Sequence, residues 1–88
     1  MKVLKFGASW CPGCKVMVPR WKEIEKKYPW LETKMIKMDG HSEAMKEYKI
    51  LELPTFIFLN EEGKEIQRFS GIIDEEILVK AVLSYRDR

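Results

Sequence analysis

The hexapeptide Trp10–Lys15 constrains this chain most, because it contains both of the cysteines among 88 residues. A short apolar run precedes it. After it, apolar residues recur at three- and four-residue spacing, which is typical of an amphipathic helix. The cysteines therefore lie where a predicted strand gives way to a predicted helix. Any fold of this chain must place two sulfurs at a helix N-terminus.

The position of each cysteine in that helix predicts its chemistry. Cys11 is expected at the N-cap and Pro12 at the first helical position, where a missing N–H removes no intrahelical bond. The Cys11 sulfur then faces the free N–H groups of Gly13 and Cys14, which favours the thiolate and lowers the pKa below the ordinary value near 8.5. Cys11 is therefore the predicted nucleophile. Cys14, three residues on, lies within disulfide reach and is the predicted resolving thiol.

Composition and charge exclude several other classes of protein. Hydrophobic residues make up 45% and charged residues 34%, a balance typical of folded domains. A net charge of +2 and a pI near 8.5 do not indicate a nucleic-acid binder, which needs a denser basic stripe. No apolar run of about 18 residues and no leader-like segment is visible, so we expect no membrane association and a cytoplasmic location.

Two other roles for the cysteine pair compete with catalysis. A Cys-x-x-Cys pair is half of a zinc site, but His41 is the only histidine, so carboxylates would have to complete it. A metal ion or cluster that bridges the cysteine pairs of two protomers remains an alternative. A static disulfide would contribute only about 2 kcal/mol because the loop is so short, and cytoplasmic thiols are kept reduced. We expect a monomer with no bound metal or cofactor besides the cysteine pair.

The periodicity of the remaining chain predicts the order β-α-β-α-β-β-α. A strand-helix-strand start requires parallel strands with a right-handed crossover, and the closing hairpin adds antiparallel strands. The prediction is one α/β domain, residues 1–88, with a mixed four-stranded sheet and three helices on its faces. Pro19 should kink the first helix. The predicted strands are 2–7, 33–38, 55–59 and 64–70, and the predicted helices are 12–28, 43–49 capped by Ser42, and a last helix capped by Asp74.

Four features at matching spacing carry a family resemblance: Ala8–Lys15, Pro19, Leu53–Thr55 and Gly71. With them, nearly the whole chain resembles a short form of the thioredoxin family that lacks the extra N-terminal strand and helix. The resemblance implies a thioredoxin-like fold and a thiol-disulfide oxidoreductase that acts on disulfide-containing proteins, with a reductase or glutathione as electron donor. It also implies a cis Leu53–Pro54 peptide bond, although most X-Pro bonds in folded proteins are trans.

The resemblance further implies a shallow apolar groove around the sulfurs for a partner polypeptide. Trp10 could equally be an ordinary packed or half-exposed aromatic, and Gly71 a turn residue. A glutathione-dependent glutaredoxin-like enzyme and a metal-carrying or interaction module without turnover are the alternatives. The groove residues implied by the resemblance are Trp10, Pro12, Gly13, Leu53, Pro54, Gly71 and Ile72.

The chain departs from the family behind the cysteines. Family members carry a buried acid six residues before the first cysteine, where this chain has Lys5, and Met35 replaces the lysine that partners the acid. Either the Lys5 amine extends to water while its stem lines the core, or it lies beneath the disulfide with a lowered pKa and favours thiolate. Glu52 is a second candidate proton acceptor, with a solvated loop carboxylate as its simpler interpretation. His41 is expected in a loop away from the site.

Overall fold

The helices and strands follow one another in the predicted order. A computed structural model describes residues 1–39 and 42–88, with only the backbone described for Ser42, Ala44 and Met45. The order β-α-β-α-β-β-α is confirmed over these residues. The elements are β1 (Lys2–Gly7), α1 (Pro12–Lys27), β2 (Glu32–Lys37), α2 (Ser42–Glu47), β3 (Thr55–Leu59), β4 (Glu65–Ser70) and α3 (Glu75–Ser84).

The strands form one mixed sheet in the order β2-β1-β3-β4. β1 and β2 are parallel, with α1 as the crossover between them, and β3 is antiparallel to both β1 and β4. The predicted mixed four-stranded sheet is therefore confirmed. Because β1 and β3 run in opposite directions, the end of β1 lies beside the start of β3, with Phe6 opposite Thr55. This pairing brings the segment before Thr55 to the loop that carries the cysteines.

Apolar side chains cover both faces of the sheet, because successive residues of a strand point to opposite sides. On one face, Val3 of β1 packs in a core with residues of α1 and α3, including the fully buried Trp21 and Leu78. On the other face, Leu4 and Phe6 form a second core together with Cys11, Cys14, Met38, Ile50 and Ile57. The cysteines thus belong to a buried apolar cluster.

Element ends differ from the predictions by one or two residues. Ser42, predicted to cap α2 from outside, is the first residue of that helix. Lys49 was predicted inside α2 but lies beyond it, with a left-handed φ of 53° of the kind that terminates helices. Asp74 occupies the N-cap of α3 as predicted, yet its side chain makes no capping bond. The predictions for Gly40 and His41 lie outside the described residues.

None of the helices within the described residues has the length and apolar character that a membrane span requires.

Candidate active site

Cys11 occupies the N-cap of α1 and Pro12 is the first helical residue, as predicted. The Cys11 backbone is extended, and its Sγ accepts a hydrogen bond from the Cys14 N–H at 3.2 Å. Of the two N–H groups predicted to face this sulfur, that of Cys14 makes the bond. When the pair is reduced, the same N–H and the positive helix end would stabilise negative charge on Cys11. The helix N-terminus therefore favours the thiolate form of Cys11, the residue that caps it.

The two cysteines are joined as a disulfide, with their Cα atoms 5.3 Å apart. Both are buried, Cys11 with 3% and Cys14 with 9% of its surface exposed. Exposure therefore does not distinguish them, whereas their surroundings do. Cys14 faces Gly7 of β1 so closely that a Cβ atom added to Gly7 would lie 3.1 Å from Cys14 Sγ. The absence of a side chain at Gly7 lets the central strand approach the inner sulfur.

Pro54 directly precedes β3 and lies beside the first turn of α1. The Leu53–Pro54 peptide bond is cis. A Cβ atom added to Gly13 would lie 3.1 Å from Pro54 Cδ and 3.5 Å from Ile72 Cγ1. The Gly13 backbone therefore fits tightly against both residues. Leu53 packs against the same core cluster that contains the cysteines.

The turn after β4 is hydrogen-bonded to Pro54. The Gly71 N–H donates to the Pro54 carbonyl oxygen at 2.8 Å, and Gly71 has a φ of 90°, which glycine adopts readily. The turn interpretation of Gly71 therefore fits its position beside Pro54. Trp10 is 69% exposed and Ile72 is also exposed. The chain therefore presents apolar surface next to a buried disulfide.

Two contacts that the sequence does not reveal attach this turn to α1. Arg20 Nη1 donates to the Ile73 carbonyl oxygen at 2.8 Å, and the Ile73 N–H donates to Met17 Sδ at 3.4 Å. Both join residues more than 50 positions apart, so no local pattern could have indicated them. They fix the backbone that carries Ile72.

The loop before Cys11 is held by Asp39, which follows β2. The backbone N–H of Ser9 donates to Asp39 Oδ1 at 3.0 Å, and the Ser9 hydroxyl donates to Asp39 Oδ2. The bond from the Ser9 hydroxyl and, to a smaller extent, the bond from the Ser9 N–H hold the pKa of Asp39 below its ordinary value. The ionised carboxylate therefore ties the end of β2 to the segment that leads into the cysteines.

Replacing Asp39 with asparagine is expected to reduce stability at neutral pH but not at low pH. Since the folded-state pKa is depressed, the ionised form contributes stability above the ordinary carboxyl pKa of about 4, and that contribution is lost as the pH falls through the lower folded-state pKa. The melting temperature of the wild type should exceed that of Asp39→Asn slightly at pH 6–8, and the difference should shrink below about pH 4. Asp87→Asn, which removes another exposed carboxylate, is the control. A difference that stays constant with pH would contradict the prediction.

Lys5 does not extend to water. Its side chain is only 11% exposed, and its Nζ lies 2.6 Å from Oε2 of Glu25, whose side chain is 31% exposed. Of the two interpretations of Lys5, an amine that extends to water does not fit this position. Sequence reasoning also missed Glu25, although its spacing of eleven residues from Cys14 places both on one face of α1.

A cleft of about 200 Å³ lies along this side of α1. Cys14, Lys5 and Glu25 line it, together with Met35 of β2 and Pro54. Glu52 is exposed and does not line the cleft. Its backbone carbonyl accepts a hydrogen bond from Thr55 Oγ1 at 2.6 Å. The solvated interpretation of the Glu52 carboxylate fits this position.

Among residues 1–39 and 42–88, no three or more His, Cys, Asp or Glu side chains lie together as a metal site would require.

Fold and site together define a class of protein. The sheet order β2-β1-β3-β4, with a cysteine pair at the N-terminus of the first crossover helix and a proline facing it, is a thioredoxin-like fold with a dithiol site. The thioredoxin family model matches residues 1–84. The chain belongs to the thioredoxin family.

Relatives and solved structures agree with this assignment. The chain is 36% identical over 78 residues to a thioredoxin H-type from Fagopyrum esculentum, covering 89% of this chain and 66% of the relative. It is 26% identical over 84 residues to a thioredoxin of Chlamydia trachomatis, and the match covers 96% of this chain and 81% of that relative. A Fasciola hepatica thioredoxin structure superposes with a TM-score of 0.84 at 32% identity, covering 94% of this chain and 78% of that one. The chain spans slightly less than two thirds of the length of the first plant relatives.

Proposed function

We propose that this protein is a thiol-disulfide oxidoreductase that reduces disulfides in other proteins through the Cys11–Cys14 pair. The observation that carries the proposal is the position of Cys11, whose sulfur caps α1 and accepts the Cys14 N–H while Cys14 lies within disulfide reach. A helix N-terminus stabilises the thiolate, which is the attacking form of cysteine. The match to the thioredoxin family model over residues 1–84 supports the same activity.

The reaction runs in two steps. The Cys11 thiolate attacks one sulfur of the substrate disulfide, forming a mixed disulfide and releasing the other substrate sulfur as a thiolate. Cys14 then loses its proton and attacks Cys11, which forms the Cys11–Cys14 bond and breaks the bond to the substrate. Two electrons pass to the substrate, and a donor must return two electrons to the pair.

The surface around the disulfide suits an extended segment of a protein substrate. Trp10 and Ile72 are exposed on this surface, and the Gly13 backbone lies against Pro54 and Ile72. Leu53, immediately before Pro54, completes the proposed groove with Pro12 and Gly71. An apolar groove next to a buried disulfide favours a substrate that brings its own apolar side chains to the reacting sulfurs.

We expect the protein to work as a cytoplasmic monomer with no bound cofactor, supplied with electrons by a reductase. The family assignment favours a thioredoxin reductase over glutathione as the donor. Comparing turnover with NADPH and a thioredoxin reductase against turnover with reduced glutathione and glutathione reductase identifies the donor.

The Cys14→Ser variant tests the proposal by trapping the first intermediate. With the resolving thiol removed, the mixed disulfide at Cys11 should persist. Incubation with a disulfide-containing protein should therefore give a covalent 1:1 complex that a reductant cleaves. Non-reducing electrophoresis and mass spectrometry detect the complex and locate its bond. The wild type, treated identically, should show little complex. A Cys14→Ser variant that forms no adduct would overturn the proposal.

A further inference from the structure

A groove separates α1 from the edge of the sheet. The helix packs over the centre of the sheet, where Met17 and Trp21 share a core with Phe56. β2 is the edge strand, and its Met35 pairs with Lys5 of β1, so both side chains lie on the face that α1 covers. Met35 is nevertheless 44% exposed. The helix therefore leaves this side chain open to solvent.

Residue spacing defines the walls of this groove. On α1, Val18, Lys22 and Glu25 recur at four- and three-residue intervals, so they form one flank of the helix. The floor and the opposite wall come from paired residues of β1 and β2: Lys5, Gly7, Met35 and Lys37. Together with Cys14 these side chains line the cleft of about 200 Å³. The cleft extends about 16 Å along α1 from Cys14 to Glu25, since each helical residue rises about 1.5 Å.

The two ends of the cleft differ in polarity. Next to the active site, Cys14 and Pro54 are part of an apolar lining. At the far end lies the Lys5–Glu25 ion pair, with Lys5 Nζ 2.6 Å from Glu25 Oε2. Lys22 lies one turn before Glu25 on the same flank of α1. A ligand in the cleft therefore meets apolar surface at one end and charged groups at the other.

The charge of the lining is positive. Among the described lining residues, Lys5, Lys22 and Lys37 accompany a single carboxylate, that of Glu25, which is paired with Lys5. Lys22 and Lys37 take part in no ion pair within residues 1–39 and 42–88. Lys37 lies opposite Gly7, at the apolar end. The cleft therefore favours an anion, and Lys22 is the unpaired cation at its polar end.

Size and polarity together select the kind of ligand. An apolar cavity of about 150 Å³ is large enough to bind benzene, so this cleft has room for a small organic molecule. Apart from its charged groups, the lining is mostly apolar. The backbone of a peptide would therefore leave polar groups unpaired there. A flexible acyl chain has no such groups and fits an elongated cleft.

We propose that this cleft binds medium-chain acyl carboxylates, with the carboxylate at Lys22 and the end of the acyl chain near Cys14. The chain lies between Val18 and Met35. Burial of its methylene groups drives binding, and the ammonium group of Lys22 favours the anion over a neutral chain. No covalent bond forms or breaks, so this inference does not rest on the proposed function.

Titration of the oxidised protein with octanoate tests the proposal. Trp21 lines the cleft, whereas Trp10 and Trp30 do not. The three indole N–H signals in proton–nitrogen correlation spectra therefore show where octanoate binds. Hexanoate varies the chain length, and octanol keeps the length of octanoate without its charge.

Two pairs of variants separate the apolar wall from the charge. Val18→Phe places a ring in the cleft, and Val16→Phe adds the same ring at an exposed position of α1 outside it. Lys22→Gln removes the cation, and Lys26→Gln removes an exposed lysine of the same helix that does not line the cleft. Circular dichroism and thermal melting check that each variant is folded.

Octanoate should move the indole signal of Trp21 and leave those of Trp10 and Trp30 in place. It should bind about fourfold to fifteenfold more tightly than hexanoate, because each buried methylene contributes about twofold to fourfold. Lys22→Gln should weaken octanoate binding about twofold to fivefold, as expected for an exposed ion pair, and leave octanol binding unchanged. Val18→Phe should abolish binding of both ligands. The two control variants should match the wild type.

Octanoate that leaves the Trp21 signal in place, or binds Lys22→Gln and Val18→Phe as it binds the wild type, would contradict the proposal. A Trp21 signal that moves with protein concentration instead would show that a second copy of the chain covers the cleft, which would also contradict it. If Val18→Phe does not fold, the chain-length series and the Lys22→Gln variant decide. The titrations involve no thiol chemistry, so their failure leaves the proposed function standing, and the Cys14→Ser trap tests that function separately.

Discussion

The Cys11→Ser variant is expected to lose disulfide reduction, with the rate of insulin reduction falling about a thousandfold or more, as happens when the nucleophile of a cooperating set of residues is removed. The hydroxyl of serine is not ionised near neutral pH, so the helix N-terminus has no thiolate to stabilise. Cys14 cannot replace it, because Cys14 is turned toward Gly7 and the cleft. The turbidity of reduced insulin, with dithiothreitol as electron donor, measures the loss.

The fold should survive this substitution, which makes the result a test of chemistry. Serine is among the preferred N-cap residues, so the cap of α1 is retained. The lost disulfide closes a very short loop and contributes only about 2 kcal/mol. Cys14→Ser is the matched control: it loses the same bridge but should still attack a disulfide once and stay attached to it. Turnover retained without Cys11 would refute both the assigned nucleophile and the proposed function.

The largest expected effect on stability comes from replacing Trp21 with alanine. Trp21 is 1% exposed, and its ring lies 5.4 Å from that of Phe56 and 6.3 Å from that of Phe58, measured between centroids. Truncating so large a buried side chain removes its burial and leaves a cavity, which costs about 3–5 kcal/mol. Small domains have a total unfolding free energy of about 5–15 kcal/mol, so the variant should be close to unfolding.

Urea denaturation, followed by circular dichroism, measures the change in unfolding free energy. Trp30→Ala is the control, because Trp30 is an exposed tryptophan whose ring contacts are Tyr28 and Arg86. The Trp30→Ala substitution should lower the unfolding free energy by about 1 kcal/mol or less. A Trp21→Ala variant with the same denaturation midpoint as Trp30→Ala would show that the core does not depend on this residue.

The site combines three parts of the chain. The N-terminus of α1 carries the sulfurs, the segment at Pro54 and the turn at Gly71 form the surface beside them, and Lys5 and Glu25 line the cleft behind Cys14. In the proposed function, the first part serves attack on a substrate and the second serves substrate binding.

Most of the fold followed from local patterns. The strand at 2–7, the helix beginning at Pro12 and the hairpin of β3 and β4 depend on periodicity and turn residues within a few positions of each other. The order of elements then restricted the sheet to a mixed arrangement, because consecutive elements lie adjacent and crossovers are right-handed. The main errors fell at element ends, such as Lys49 and Ser42, where neighbouring residues have nearly equal preferences.

By itself, the sequence determined the inner geometry of the dithiol: Cys11 at the N-cap, Pro12 at the first helical position and Cys14 within reach of Cys11. This geometry depends only on residues within one turn of a helix, and helical spacing is the same in every protein. The partner of Lys5, the attachment of Ser9 to Asp39 and the contact of Gly13 with Pro54 and Ile72 were decided only by the tertiary structure. Each of these contacts joins residues 20 or more positions apart, and their distances depend on strand register and helix packing, which a local pattern does not fix.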